Sequence, residues 1–248
     1  SETSYYDSLG LSFYSQITAH LGMDWGFDAY KVMGLAPYGK PELSIDRIKQ
    51  IIDIDKTNPL KFRNKIDAYM NAMQPKLRDM LKNDRFDNIA AATQSWFETL
   101  ITKWVSNAVE KTGIRKIACA GGGFLNVKAN RKILSLDDVD DVFFCPAAGD
   151  DGLAVGAALK GYFEIALRDG IKPVKEHLKS NYFGSSFTND QIKDALKNHD
   201  MLDKAQYVDD IDDEVGELLA TSDMVVARFS GRLEWGPRAL GNRSILAN

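Results

Sequence analysis

The sequence is poor in cysteine and histidine, carries no excess of basic residues and has no long apolar run. Its two cysteines among 248 residues, Cys119 and Cys145, lack CxxC spacing, which excludes a disulfide scaffold and favours buried thiols in a reducing cytoplasm. No apolar stretch approaches about 18 residues, so no membrane span is predicted. A net charge of −4 argues against a nucleic-acid partner bound through bulk basic charge. We therefore expect a cytoplasmic protein with neither membrane nor nucleic-acid partners.

The three histidines lie far apart in the sequence and form no HxxxH or HxxH pair. They are His20, His177 and His199. Because histidine-based metal sites on helices use such short spacings, the sequence shows no complete site of that kind. Each histidine is interpreted as a surface or hydrogen-bonded polar residue.

A long helix opens the clearest structural pattern, which runs over residues 87–167. Asp87 can cap this helix and Gly113 can end it. Apolar residues recur at the spacing of one buried helical face: Ile89, Ala92, Trp96, Leu100, Trp104 and Ala108.

Two short apolar strands and two helices follow. The strands are predicted over residues 114–119 and 142–145, with a glycine turn and a helix through 134 between them. A helix to about residue 167 is apolar on most sides, so we expect it to be well buried. Continuous apolar strands with crossover helices predict an α/β fold with a mostly parallel sheet flanked by helices.

The segments before residue 87 and after residue 167 carry weaker secondary-structure patterns. Residues 1–45 predict a helix over 8–20 and then a loop that ends at 31–39. Residues 46–86 are interpreted as an insertion of exposed helices without a chemical motif, and 168–204 as a polar connection with one helix near 190–198. Residues 205–248 return to the α/β pattern, with a helix over 212–221 and a strand over 224–229.

Three consecutive glycines, Gly121, Gly122 and Gly123, follow the first strand and open a helix. Such a turn lets backbone N–H groups approach a phosphate, with the helix dipole behind them. The alternative is a tight turn without a ligand, and the triplet alone does not decide between the two. The turn is neither a Walker A loop nor a GxGxxG loop.

Two aspartates, Asp150 and Asp151, follow the second strand. Ligands of open α/β sheets bind at the carboxyl ends of the strands. An aspartate at this place can hold a divalent metal ion or cap the next helix, and residue types alone favour capping.

The closing segment is rich in arginine, with Arg232, Arg238 and Arg243 around Glu234. Arginines on a loop shaped by glycine and proline suit bidentate capture of phosphate or carboxylate, and this interpretation is favoured over a solvated turn with surface ion pairs. Lys31 is a weaker candidate for ligand binding, since it can point into a cleft or lie on the surface.

Four segments in this order resemble motifs of the O-carbamoyltransferases of the nodulation-factor, cephamycin and tobramycin type. The first and last are specific, whereas the middle two are shared more loosely with the universal tRNA threonylcarbamoyl-adenosine proteins. The segments are Tyr-Lys-Val-Met-Gly-Leu-Ala-Pro-Tyr-Gly at 30–39, Gly-Gly-Gly-Phe-Leu-Asn at 121–126, Pro-Ala-Ala-Gly-Asp-Asp-Gly at 146–152, and Gly-Arg-Leu-Glu-Trp-Gly-Pro-Arg-Ala-Leu-Gly-Asn-Arg-Ser at 231–244.

The resemblance implies an actin-like ATPase (ribonuclease H-like) fold. It implies an enzyme that moves a carbamoyl group from carbamoyl-adenylate, made from carbamoyl phosphate and ATP, to a hydroxyl of a small-molecule acceptor such as a sugar or antibiotic. It places a divalent metal ion (iron, zinc or magnesium) on Asp150. It also implies a nucleotide near the glycine turn, Asn126 and Lys31, and the anionic intermediate near Arg238 and Arg243.

The resemblance covers only part of such an enzyme. The two metal-binding histidines and the strands expected before residue 1 are absent, as is an adenylate-forming domain after residue 248. We therefore expect the whole chain, residues 1–248, to be one lobe of the actin-like domain, inactive alone and partnered by the missing N-terminal lobe and C-terminal domain. An exposed sheet edge would invite a homodimer.

The sequence is also compatible with two other functions. One is a sugar kinase or ATPase of the same superfold, which shares the glycine turn and the strand-end aspartate but leaves the arginine segment unexplained. The other is a non-catalytic nucleotide-binding module whose arginines hold an anionic partner.

Overall fold

The computed structural model describes residues 4–174 and 178–248, and it divides into two compact units. The first unit ends at Asp150 and the second begins at Asp151. His177 lies outside the described residues.

The first unit contains helices and two pairs of strands. In chain order these are α1 (Ser15–His20), preceded by a π-helical turn (Gly10–Tyr14), α2 (Ala29–Leu35), α3 (Ile45–Ile48), β1 (Ile52–Ile54), β2 (Phe62–Asn64), α4 (Met73–Leu81), α5 (Phe86–Thr112), β3 (Lys116–Cys119), α6 (Val127–Leu134) and β4 (Asp141–Phe144).

Helix α5 forms the centre of this unit. Its buried residues include Ile89, Phe97 and Leu100 but also Asp87 and Gln94, so more than one face is covered. Its N-cap residue is Arg85, two positions before the predicted Asp87. Gly113 ends the helix in the left-handed conformation at φ 69°, as predicted.

Strands β3 and β4 form the predicted parallel pair. Ile117 lies opposite Val142 and Cys119 opposite Phe144, so both strands end at the same edge. The predicted larger sheet is confirmed only for this pair, because the described strands form three two-stranded sheets and the other two are antiparallel. The fold is mixed α/β, and the actin-like architecture stays a prediction.

Residues 29–39 form helix α2 and a 3-10 turn (Ala36–Tyr38), so the predicted loop is wrong. The chain after this turn lies against the start of α5. A Cβ atom on Gly39 would come within 2.0 Å of the Asp87 carbonyl oxygen, and the Lys40 N–H donates to Asn88 Oδ1 at 2.8 Å. Gly39, the last residue of the 30–39 segment, is therefore needed for this close packing.

Residues 46–86 are only partly the predicted exposed helices. They also contain the antiparallel hairpin of β1 and β2, held to α5 by the indole N–H of Trp96, which donates to the Ile52 carbonyl at 2.9 Å. Apolar side chains of this segment belong to the core: Ile48, Ile51, Ile52, Ile66, Met73, Leu77 and Leu81. Because their spacing switches between helix and strand, helical periodicity alone misjudged them.

The second unit contains α7 (Leu153–Arg168), α8 (Asn189–Asn198), α9 (Ile211–Thr221), β5 (Val226–Phe229) and β6 (Arg243–Leu246). Helices α8 and α9 lie where the sequence predicts them. Strand β6 pairs antiparallel with β5, which the sequence did not indicate.

Helix α7 is not buried as predicted. Ala166 is its one buried residue, whereas the side chains of Leu153 and Leu167 are 69% and 67% exposed. Apolar composition gives a helix the capacity to be buried, but burial requires packed neighbours. In the described ranges, no helix is long and apolar enough to cross a membrane.

Candidate functional site

The loops that follow β3 and β4 meet at the carboxyl edge of the parallel pair. The Gly121 N–H donates to the Ala148 carbonyl at 2.6 Å. Leu125 Cδ1 lies 3.5 Å from the place that a Cβ on Gly149 would occupy. The glycine turn and the residues that lead to Asp150 are thus in direct contact within the first unit.

The glycine turn presents backbone to solvent. Gly121 adopts φ 110°, and a side chain added at Gly122 would meet no atom within 4 Å. The N–H groups of Gly122 and Gly123 have no acceptor among the described residues. Adjacent backbone donors of this kind form an anion-binding geometry.

The carboxylate of Asp150 is exposed beside this turn. It makes no hydrogen bond or ion pair with any residue that the structure describes. Helix α7 begins with Gly152 as its N-cap residue and receives no side-chain cap, so the capping interpretation of the aspartates is wrong. Asp150 remains available to a cation, while Asp151 belongs to the second unit.

Asn126 turns its side chain into the protein. Its Oδ1 accepts from the Ala129 N–H at 3.1 Å and thereby caps α6. Its Nδ2 donates to Gln94 Oε1 at 2.9 Å, and Gln94 Nε2 donates back to Asn126 Oδ1 at 3.0 Å. This amide pair fastens the end of the glycine turn to α5.

The same buried cluster contains residues that sequence reasoning missed. The Tyr14 hydroxyl donates to Gln94 Oε1 at 2.7 Å. Gln94 Nε2 also donates to Glu98 Oε1 at 2.7 Å, and Lys132 Nζ lies 2.6 Å from Glu98 Oε2. The sequence signal is the spacing of Gln94 and Glu98, which are four positions apart and therefore lie on one face of the helix.

Lys31 lies on α2 and pairs with its own neighbour. Its Nζ is 2.8 Å from Asp28 Oδ1 and 5.9 Å from the ring centroid of Tyr30. The hydrogen bond to Asp28 raises the pKa of Lys31. Within the described residues, nothing joins Lys31 to the glycine turn.

The arginines of the closing segment belong to the second unit. Arg243 Nη2 donates to the Gly236 carbonyl at 2.8 Å, and Arg232 Nε donates to the Gly184 carbonyl at 2.9 Å. Arg238 is half-buried. Glu234 is buried between them at 7% exposure.

The segment 168–204 is more than a polar connection, because residues 181–185 pair with the closing segment. The Trp235 N–H donates to the Asn181 carbonyl at 2.7 Å, and the Gly184 N–H donates to the Leu233 carbonyl at 3.0 Å. A Cβ on Gly184 would come within 2.1 Å of the Leu233 Cβ, so a glycine is required there.

The described part of the chain assembles no group of three or more potential metal ligands. His20 is half-buried, and burial, assisted by Arg78, lowers its pKa. Cys119 is buried and unpaired, and burial raises its pKa to about 11, which keeps the thiol protonated and poorly nucleophilic.

Comparison with known families places these features in context. The family described as carbamoyltransferase N-terminus matches residues 1–159, and the one described as carbamoyltransferase C-terminus matches residues 217–248. This chain belongs to the carbamoyltransferase family. The glycine turn and Asp150 lie in the N-terminal match, whereas the closing arginines lie in the C-terminal one.

Relatives in the family include two nodulation proteins. The chain is 34% identical over 257 residues to nodulation protein NolO of Bradyrhizobium diazoefficiens, covering 98% of this chain and 44% of the relative. It is 33% identical over 248 residues to nodulation protein NolNO of Sinorhizobium fredii, covering 98% and 35%. An uncharacterized protein of Methanocaldococcus jannaschii is 30% identical over 246 residues, covering 95% and 39%. The chain therefore spans roughly two fifths of the length of these relatives.

Proposed function

We propose that this carbamoyltransferase-family chain holds a nucleotide for transfer of a carbamoyl group from carbamoyl-adenylate to a hydroxyl of a sugar or antibiotic-like acceptor. Formation of the adenylate from carbamoyl phosphate and ATP is not part of the role that we propose for the described residues. The proposal joins family membership to the geometry of the first unit.

The observation that carries the proposal is the edge where β3 and β4 end. Two glycine N–H groups and a carboxylate that have no partner among the described residues follow neighbouring parallel strands, and the Gly121–Ala148 hydrogen bond connects the two loops. This is the edge at which α/β sheets bind nucleotides.

Each group has a role that carbamoyl transfer needs. Carbamoyl-adenylate is a mixed anhydride with a good leaving group, so the protein must mainly bind the nucleotide and orient the acceptor hydroxyl. The N–H groups of Gly122 and Gly123 would hold phosphate oxygens, and Asn126 would act indirectly by fixing the turn. Arg238 and Arg243, which belong to the second unit, would each hold an anionic group.

Asp150 provides only part of a binding site for a divalent ion. One carboxylate, completed by substrate phosphates and water, is a donor set that Mg²⁺ accepts, whereas a resident zinc or iron site needs several protein ligands that the described residues do not assemble. A bound ion would offset phosphate charge and polarise the carbamoyl carbonyl.

The experiment is a calorimetric titration of the 248-residue chain with ATP, with and without Mg²⁺. We expect Asp150→Asn to remove most of the gain in ATP affinity that Mg²⁺ provides, about tenfold or more. Asp141→Asn is the matched control, because Asp141 is an exposed aspartate at the opposite end of β4. Equal behaviour of both variants would contradict the role of Asp150.

A second measurement separates the proposal from the other functions. Incubation of the chain with ATP and a set of sugars should give no phosphorylated sugar by mass spectrometry, whereas a sugar kinase would produce it. Failure of ATP to bind in the titration would contradict the nucleotide site itself.

A further inference from the structure

The carboxylate of Glu234 organises the closing segment of the second unit. Its Oε1 accepts three backbone hydrogen bonds, from the N–H groups of Leu240 at 2.9 Å, Asn242 at 2.7 Å and Arg243 at 3.2 Å. One buried oxygen thus fixes the backbone of the segment that contains Arg243. A carboxylate that accepts several backbone N–H bonds is strongly favoured in its charged form.

The second oxygen of Glu234 faces Arg243. In the described structure, Oε2 is fully buried and accepts no hydrogen bond, and Arg243 Nε lies 4.0 Å away. Arg243 Nη2 donates to the Gly236 carbonyl at 2.8 Å. The guanidinium is therefore held from the protein side, while 43% of the Arg243 side chain remains exposed.

The charge arrangement is informative. If the loop served only to concentrate positive charge, a carboxylate beside Arg243 would reduce that charge and weaken anion binding. Burying that carboxylate also costs desolvation, which the three N–H bonds offset. The arrangement makes sense if orientation of the guanidinium matters more than the total charge, since arginine recognises anions through a planar, directional fork.

We propose that Glu234 is a positioning residue for Arg243: it fixes the guanidinium so that its exposed side receives an anionic group, such as a phosphate. The receiving role rests on the proposed function, whereas the fixing of Arg243 by Glu234 does not. Other contacts support the same loop. Asn242 Nδ2 donates to the Arg232 carbonyl at 2.9 Å, and the Tyr182 hydroxyl donates to the Leu240 carbonyl at 3.1 Å.

The test uses Glu234→Gln in the 248-residue chain. Glutamine keeps one carbonyl oxygen for the three backbone N–H groups but replaces the oxygen that faces Arg243 by an uncharged NH₂ group. A purely structural role of Glu234 would survive this change, whereas positioning through the ion pair would not. Asp212→Asn is the matched control, because it removes the carboxylate from the exposed Arg228–Asp212 ion pair of the same unit.

Two readouts are needed. The first is the ¹⁵Nη–H resonance of Arg243 without ligand, because Nη2 donates to the Gly236 carbonyl; we expect it to be resolved in the wild type and lost in Glu234→Gln. The second is the affinity for inorganic pyrophosphate, which we expect to fall about tenfold in Glu234→Gln and Arg243→Gln, with no further loss in the double variant. Circular dichroism checks that the variants fold.

The outcomes separate the two proposals. An unchanged Arg243 resonance in Glu234→Gln would overturn the positioning role. An unchanged pyrophosphate affinity beside a lost resonance would overturn the statement that the positioned guanidinium receives a phosphate group. If wild-type chain binds no ATP but Glu234→Gln still releases the Arg243 side chain, the proposed function fails and the fixing of Arg243 by Glu234 stands.

Discussion

Helix α7 is more apolar in composition than α5, but α5 is the better buried of the two. In α5, residues on several faces are buried, including polar ones such as Gln94 and Glu98. In α7, Ala166 alone is buried and Leu159 is 53% exposed. The difference shows that the core of this protein is defined by what packs around a helix. Apolarity of the helix itself does not predict its contribution to stability.

The strongest way to test this comparison is a pair of truncations. Phe97→Ala removes a fully enclosed ring that packs edge-on against Tyr14 at 5.1 Å between centroids, so we expect a loss of about 3–5 kcal/mol. Leu159→Ala on α7 should change stability by no more than about 0.5 kcal/mol. Urea denaturation followed by tryptophan fluorescence measures both. Equal losses would mean that α7 is as well packed as α5.

A smaller effect is expected from the polar cluster within α5. Gln94→Ala removes the hydrogen bonds that Gln94 makes with the buried amide of Asn126 and the hydroxyl of Tyr14, which should cost about 1–3 kcal/mol. The control is Gln50→Ala, because Gln50 is an exposed glutamine whose side chain donates to the Asp46 carbonyl. The same urea denaturation applies, and a loss for Gln94→Ala no greater than for the control would contradict the structural role of the cluster.

The smallest expected effect is a pH dependence in the second unit. Burial acts to raise the pKa of Glu234, but the N–H groups of Asn242, Leu240 and Arg243, with the Arg243 charge, outweigh it and lower the pKa. The unfolded chain therefore binds the proton more tightly. The stabilisation is complete above the ordinary glutamate pKa and is lost as the pH falls through the lowered value.

Melting temperatures of wild type and Glu234→Gln from pH 7 downward measure this dependence. The difference between them should be constant at neutral pH and shrink only in the acid range. A difference that already changes near pH 7 would show that the carboxylate has a raised pKa instead.

Much of the chain around the glycine turn could be predicted from sequence. The strands β3 and β4, the turn and α6 are specified locally, by short apolar runs, consecutive glycines and an asparagine cap. Once the strands are parallel neighbours, the meeting of the glycine turn with the loop before Asp150 follows from topology alone.

Other features depend on contacts that are distant in sequence. The hairpin of β1 and β2 needs α5 to cover it. Glycine is required at position 39 only because the backbone of Asp87 lies so close to it. The inward turn of Asn126 depends on Gln94, 32 positions away. Likewise, Gly184 and Leu233 pair across the second unit. Local periodicity carries no information about such partners.

The central claim is that the backbone of the glycine turn and Asp150 receive a nucleotide together. The most direct test is a titration of ¹⁵N-labelled chain with ATP and Mg²⁺, followed by NMR. The account predicts that the amide resonances of Gly122, Gly123 and Asp150 shift with one common dissociation constant, while that of Asp141 stays in place. Saturation with ATP that leaves these three amides unmoved would contradict it.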